Sequence, residues 1–283
     1  MKLKIFSTTI IIATAFLLSD CKKKTDDAGN PVASTQISTS CTDLNVFSIN
    51  RDITLGAQVN QQIRATPAEY NILDSAASTN NADAYKYMYK IRDEIFNNAA
   101  VDYEKEFPWK IAIIKDDATL NAFCTPGGYI FVYTGLIKYL DNEDDFAGVL
   151  GHEIGHAALR HSTDRLVKQY GVSFLLSAIG GDKSQLATIV ANLTLLKYSR
   201  CHETQSDEYS VALLNKTKYK CNGAAAFFEK IVESGGSGTP AFLSTHPDPG
   251  NRVENINAQA TKLNCTLKES STSTDWAKLK SVL

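Results

Sequence analysis

The chain has 283 residues, a formal net charge of −2, 43% hydrophobic residues and 21% charged residues. That is enough chain and enough apolar content for one sizeable domain, alone or with a tail. The near-neutral balance offers no electrostatic footprint for nucleic acid, and no stretch is long and apolar enough for a membrane-spanning helix of about 20 residues.

Met1-Lys2-Leu3-Lys4 is basic, and residues 5–18 form an apolar run. The run has the size of a signal-peptide core and is too short to span a bilayer. It stops at Leu18-Ser19-Asp20-Cys21. A cysteine directly after such a core resembles the lipobox of bacterial lipoproteins, where cleavage leaves the cysteine to carry the lipid. Asp20 departs from the small residue usual before that cysteine. Residues 1–20 are therefore expected to be a signal peptide and Cys21 the lipidation site, with a plain secretory signal as the other reading. Either way the mature protein leaves the cytoplasm. Cys41, Cys124, Cys201, Cys221 and Cys265 then remain. One or two disulfides are expected, with at least one thiol left over. The spacing does not give the pairing; Cys221 with Cys265 is one candidate.

Residues 22–40 are rich in Lys, Asp, Ser, Thr, Gly and Pro and lack apolar periodicity. They read as a flexible spacer, which makes 21–42 a lipid-anchored tether and 43–283 the folded domain. Helical spacing comes next at 53–63 and at 82–96, where Tyr85, Met88, Tyr89, Ile91 and Ile95 share a face. Residues 110–114 suit a strand. Pro126-Gly127-Gly128, inside 121–133, predicts a hairpin turn. Residues 142–168 read as one long helix, with acids in its first turn and no proline inside. Gly171, Gly180 and Gly181 interrupt the segment after that helix. Helices are then expected at 185–198, 203–214 and 252–263, with a Gly/Ser/Pro loop over 234–249. The sum is a mainly helical α+β fold with a small sheet.

His152-Glu153-Ile154-Gly155-His156 carries the chemistry. Histidines four apart on a helix share one face and can hold one cation between them. The acid after the first histidine can reach the attacking water and serve as general base. The flanking apolar residues Val149, Leu150, Ala157, Ala158 and Leu159 predict that this helix is buried. Glu203 is the best candidate for a third ligand, and Asp207, one turn later, could accept the second ring proton of a ligand histidine. On a helix, Cys201 and His202 face away from Glu203. His161 lies about 140° around from His156, which suits a supporting residue better than a ligand.

With these residues assembled, the chain resembles the gluzincin peptidase family that holds the CAAX-prenyl endopeptidases, HtpX-like proteases and small bacterial lipoprotein proteases. The resemblance spans about residues 45–265. Asn121-Ala122-Phe123 with Pro126-Gly127-Gly128-Tyr129-Ile130 is similar to the family's strand and turn beside the cleft. Gly151 to His156 is similar to its metal helix and Arg160-His161 to the continuation. Tyr198-Ser199-Arg200 with Glu203 and Asp207 is similar to its third-ligand segment, with Ser206 where alanine is usual. Ser244-Thr245-His246-Pro247 with Arg252 is similar to a downstream motif that approaches the cleft.

The resemblance implies a zincin-like metalloprotease fold holding one Zn²⁺ between His152, His156 and Glu203. It implies Glu153 as base, and His246 and Arg252 as transition-state stabilisers, His246 also able to mask the metal. It further implies unfolded or misassembled envelope polypeptides as substrates, bound as an added strand near Asn121, Ala122 and Phe123. The family's membrane-spanning helices are missing, so the expected form is a short lipid-anchored one on the periplasmic side of the outer membrane. Two other classes fit less of the motif set: a chaperone-like assembly factor that keeps the fold, and a structural lipoprotein with a coincidental motif.

Overall fold

The computed structural model describes residues 32–44, 46–233, 241–247, 251–267, 270 and 274–283. Cys21 and the signal segment lie outside them. No helix of the described residues is long and apolar enough to cross a membrane.

A three-stranded sheet sits between two helical layers. Its strands are β1 (Lys110–Ile114), β2 (Ala122–Thr125) and β3 (Tyr129–Tyr133), in the order β1-β3-β2. β1 runs parallel to β3, and β2 antiparallel to it. The expected hairpin is present; Gly127 and Gly128 take φ of 76° and 77°, backbone that other residues resist. The expected strand at 110–114 is also present. Strand residues alternate between two cores: Ile111, Ile113, Ile130 and Val132 face one, while Ala112, Ile114, Phe131 and Tyr133 face the other. Burial on both faces is why β1 reads as an unbroken apolar run rather than an alternating one.

α1 (Ile49–Arg64), α6 (Val172–Ile179) and α7 (Lys183–Asn192) cover one face. α2 (Thr79–Asn98) and α4 (Glu143–Ala158) lie on the other, followed outward by α8 (Arg200–Leu214), α9 (Gly223–Glu233), α11 (Arg252–Lys262) and α12 (Thr274–Val282). The tyrosines expected on the apolar face of α2 also finish the sheet. Ile113 N–H donates to Tyr85 Oη at 3.1 Å, and that hydroxyl donates to the Leu73 carbonyl at 2.8 Å. Ile111 N–H donates to Tyr89 Oη at 3.3 Å. Hydroxyls thus satisfy an edge that would otherwise present open amides.

Three sequence expectations are corrected. The long helix is two helices, α4 and α5 (His161–Tyr170), divided at Arg160, whose φ is 64°. A left-handed non-glycine residue costs roughly 1–2 kcal/mol. Here the Arg160 side chain is held by the buried carboxylate of Asp52, Nε to Oδ2 2.6 Å, and by the Phe47 carbonyl. The helix expected over 185–198 ends at Asn192. The spacer over 22–40 also differs where it is described. Val32 and Ala33 are buried, Ser38 and Thr39 donate to Glu208, and Leu44 N–H donates to Asp164. Its polar side chains are spent on the domain surface, so a polar composition here marks a strap, not a free linker. Short helices the periodicity left unread, α3 (Thr134–Tyr139) and α10 (Ala241–Thr245) among them, complete the order.

Candidate metal centre

Every residue of α4 is buried, including the acids of its first turn. Asn142 caps it, its side chain accepting from Asp145 N–H. α8 is capped in the same way by Ser199, which accepts from His202 N–H. The two helices approach closely because α4 turns glycines toward its neighbours. A Cβ on Gly155 would lie 3.1 Å from Tyr209 Cβ and 3.2 Å from Ser206 Cα; one on Gly148 would lie 2.0 Å from the Ala224 backbone nitrogen of α9. Without side chains there, α8 brings Glu203 against the histidines.

His152 Nε2 and His156 Nε2 are 3.0 Å apart. Glu203 Oε2 lies 3.5 Å from the first and Oε1 lies 3.4 Å from the second. Atoms bound at about 2.0–2.2 Å around a tetrahedral ion lie about 3.3–3.6 Å from one another; the two Glu203 distances fall in that range and the His152–His156 distance is shorter. Both Glu203 oxygens are buried; Oε2 is paired with the Arg252 guanidinium, while Oε1 has no hydrogen bond and faces the two imidazoles, an arrangement that costs free energy unless a further cation completes it. The donor set, two imidazoles and a carboxylate, is that of a divalent transition ion. The residues therefore fit a metal.

Asp207, one turn beyond Glu203, lies 2.8 Å from His152 Nδ1 through Oδ1. Arg252, the first residue of α11, donates from Nε to Asp207 Oδ2 at 2.8 Å and from Nη2 to Oδ1 at 2.6 Å. Its Nη1 is 2.9 Å from Glu203 Oε2. The sequence expectation for Asp207 thus has a direct geometric counterpart, and Arg252 lies behind the ligands on the Glu203–Asp207 side. Burial lowers His152, yet its hydrogen bonds to Asp207 and Glu203 outweigh that and raise it to about 9. Burial raises Asp207, and the Arg252 and His152 charges outweigh it, so its carboxyl stays below the ordinary range. Burial holds His156 well below the ordinary imidazole value.

Glu153 is fully buried, and neither of its oxygens has a hydrogen bond. Burial would raise its pKa, but His246 and His152 nearby keep it lowered. His246 Nε2 lies 3.3 Å from Glu153 Oε1, and its ring stacks on Phe242 of α10 at 4.1 Å. His246 Nδ1 is 3.2 Å from the Phe242 carbonyl. Thr245 Oγ1, a hydroxyl that can donate or accept, lies closer to the same nitrogen at 2.8 Å, and Nε2 is turned toward Glu153 and the metal group, which His246 joins with His152, His156 and Glu203. The four residues are at most 1% exposed, so the centre is closed under the α10 segment. Asn121, Ala122 and Phe123, expected to meet substrate, lie at or in the edge strand β2 and are each 1% exposed. Next to them, the Leu120 carbonyl accepts from Phe242 N–H at 3.0 Å.

Around His156 stand Tyr198, His161, which the spacing suggests as a supporting residue, and Gln205, which the sequence does not single out. Tyr198 stacks on the His156 ring at 3.7 Å. The break at Arg160 swings His161 back, so that its Nδ1 lies 3.0 Å from His156 Nδ1; on an unbroken helix it would point away. Gln205, on α8, lies 2.9 Å from His161 Nε2 through Oε1. Their signal in the sequence was weak, since the left-handed turn at Arg160 has no glycine to mark it. His161 and His202, with Asp43, form a second cluster of metal-type donors, but their rings stack 4.3 Å apart and 12° from parallel, so their lone pairs run side by side. Of the described cysteines, Cys41 is bonded to Cys201 and Cys221 to Cys265, while Cys124 is free and buried.

Two histidines one turn apart on a buried helix, an acid between them and a glutamate from a later helix define a gluzincin-type metal centre. Residues 85–260, more than half of the chain, match the sequence profile of Peptidase family M48, and the chain belongs to that family. It is 33% identical over 163 residues to the mitochondrial metalloendopeptidase OMA1 of Schizosaccharomyces pombe, covering 56% of this chain and 48% of that one. It is 32% identical over 145 residues to the metalloprotease YcaL of Escherichia coli, covering 48% and 57%. It is 24% identical over 180 residues to the beta-barrel assembly-enhancing protease of Escherichia coli, covering 58% and 37%. The chain spans between about a third and just over half of the length of these relatives.

Proposed function

We propose that the chain is a zinc-dependent metalloendopeptidase acting on polypeptides of the bacterial envelope. The observation that carries this reading is the convergence of His152 Nε2, His156 Nε2 and the buried Glu203 carboxylate within 3.5 Å of one another, beside a buried Glu153 whose oxygens have no hydrogen bond. His152, His156 and Glu203 would hold the zinc, which when bound polarises the scissile carbonyl and lowers the pKa of water. Glu153 takes the proton of the attacking water and delivers it to the leaving amide nitrogen. Asp207 fixes the ring of His152, and Arg252 holds Asp207 and Glu203 in place while offsetting their charge. His246 caps the centre in the closed form; α10 would have to move to admit substrate, and His246, if it stays beside the centre, would donate from Nε2–H to the developing oxyanion. Substrate lies extended along β2 near Asn121, Ala122 and Phe123, where backbone pairing tolerates many side chains and suits unfolded clients.

The names of the relatives, a metalloendopeptidase, a metalloprotease and a protease that enhances β-barrel assembly, support the reaction and a quality-control setting. Attachment through a lipid on Cys21, on the periplasmic face of the outer membrane, is inferred from the N-terminal pattern. The finer assignment is a short lipoprotein relative of the CAAX-prenyl and HtpX-like enzymes. The test is Glu153→Gln. Casein cleavage should fall by about 10²–10⁴-fold, the usual share of a general base, while bound zinc stays at one per chain by metal analysis. Cleavage at the unmodified rate would remove this mechanism.

A further inference from the structure

We propose that His161 and Gln205 are positioning residues that fix the tautomer of the metal ligand His156, and that the N-terminal strap sets the direction of the whole chain of hydrogen bonds. The inference rests on the zinc reading. The chain of bonds starts at the strap. The Thr39 carbonyl lies 3.0 Å from Gln205 Nε2, and a carbonyl can only accept. The amide nitrogen of Gln205 must therefore face Thr39, which turns its Oε1 toward His161 Nε2 at 2.9 Å. An amide oxygen also only accepts, so His161 Nε2 carries that ring's proton and its Nδ1 is bare.

His161 Nδ1 faces His156 Nδ1 at 3.0 Å, and two bare nitrogens at that distance repel. His156 must then carry its proton on Nδ1, which leaves the Nε2 lone pair for the metal. The Ser206 hydroxyl, 3.3 Å from His161 Nδ1, can donate in the same sense and so does not reverse the order. Gln205 is 7% exposed and both rings are fully buried, so no solvent competes for these bonds. His152 has its outer ring nitrogen fixed by a carboxylate, Asp207; His156 has the same task done by a neutral imidazole backed by an amide. A neutral partner keeps further charge out of a pocket that already holds Glu153, Glu203 and Asp207.

The experiment uses the full chain. Zinc affinity is measured by competition with a chromogenic chelator for the wild type, Gln205→Met, Gln205→Glu and His161→Phe. The histidine tautomers of the metal-free protein are read from ¹⁵N imidazole shifts. Gln205→Met removes the acceptor at nearly constant length, and with His161→Phe it should weaken zinc binding about ten- to a hundredfold, the usual effect of losing a partner behind a ligand. Gln205→Glu keeps an acceptor toward His161 and should recover most of the loss. His156 should be the Nδ1–H form in the wild type and a mixture of forms in Gln205→Met. Unchanged zinc affinity in a folded Gln205→Met, or an Nε2–H form of His156 in the wild type, overturns the proposal. A wild type that holds the Nδ1–H form yet binds no zinc sinks the zinc reading instead and leaves the hydrogen-bond order standing.

Discussion

His152 shows how one side chain couples metal entry to pH. Its Nδ1 is fixed by Asp207, and its Nε2 faces the space a cation would take. In the metal-free protein this ring is raised to about 9, because the neighbouring carboxylates outweigh burial. A proton must therefore leave His152 before its Nε2 lone pair can bind, and each metal bound below pH 9 releases it. Affinity is accordingly weakest at low pH, climbs by about tenfold per pH unit on this account, and levels above the His152 value. A chelator-competition series from neutral to alkaline pH reads that slope directly, and a flat series would contradict the charge balance described for this ring. The residue scale was also where the sequence was most legible. Spacing aligned His152 with His156, and only beside that pair did Glu203 and Asp207, four apart at the start of a later helix, stand out from an ordinary acidic helix N-terminus. Spacing gave nothing for Gln205, because its role depends on a strap far away in the sequence.

Among the elements, α4 and its glycines set the distance scale of the site. Gly148 faces α9 so closely that a methyl group would meet the Ala224 backbone, which cannot rotate aside. Gly148→Ala should therefore cost about 3 kcal/mol or more, at or above the usual range for overpacking, and lower the urea midpoint accordingly. A midpoint within experimental scatter of the wild type would mean that α9 is free to move away from α4. Gly148, Gly151 and Gly155, at spacings of three and four, let α8 and α9 close in on α4. The division between α4 and α5 was not legible in the sequence. It depends on Arg160 adopting a left-handed conformation that only its Asp52 and Phe47 partners make tolerable, and those lie more than a hundred residues earlier. Local propensity saw a proline-free amphipathic run and continued it. The sheet was legible for the opposite reason, since a turn with two glycines and a continuous apolar strand are both local signals.

For the molecule as a whole, the strap and its disulfide decide how the outermost layer is secured. Cys41 and Cys201 are 160 residues apart, and their Cα atoms are 5.8 Å apart. Loss of a native disulfide costs about 2–5 kcal/mol, so Cys41→Ser with Cys201→Ser should lower the unfolding free energy by about that much, read as a lower urea midpoint. Limited proteolysis should then cut within 32–44 earlier than in the wild type. Equal cutting rates in both proteins would show that the hydrogen bonds to Glu208, Asp164 and Gln205 hold the strap without the covalent link.

The same bond has a mechanical meaning. Tension applied to the chain upstream of Val32 does not have to travel through the fold. It passes along the strap to Cys41, crosses to Cys201, and enters α8 two residues before Glu203. In the oxidised protein the first element to bear a load is therefore the helix that carries the third ligand. In the reduced protein it is the strap's hydrogen bonds, those to Glu208 and Gln205 among them, that still join it to that helix.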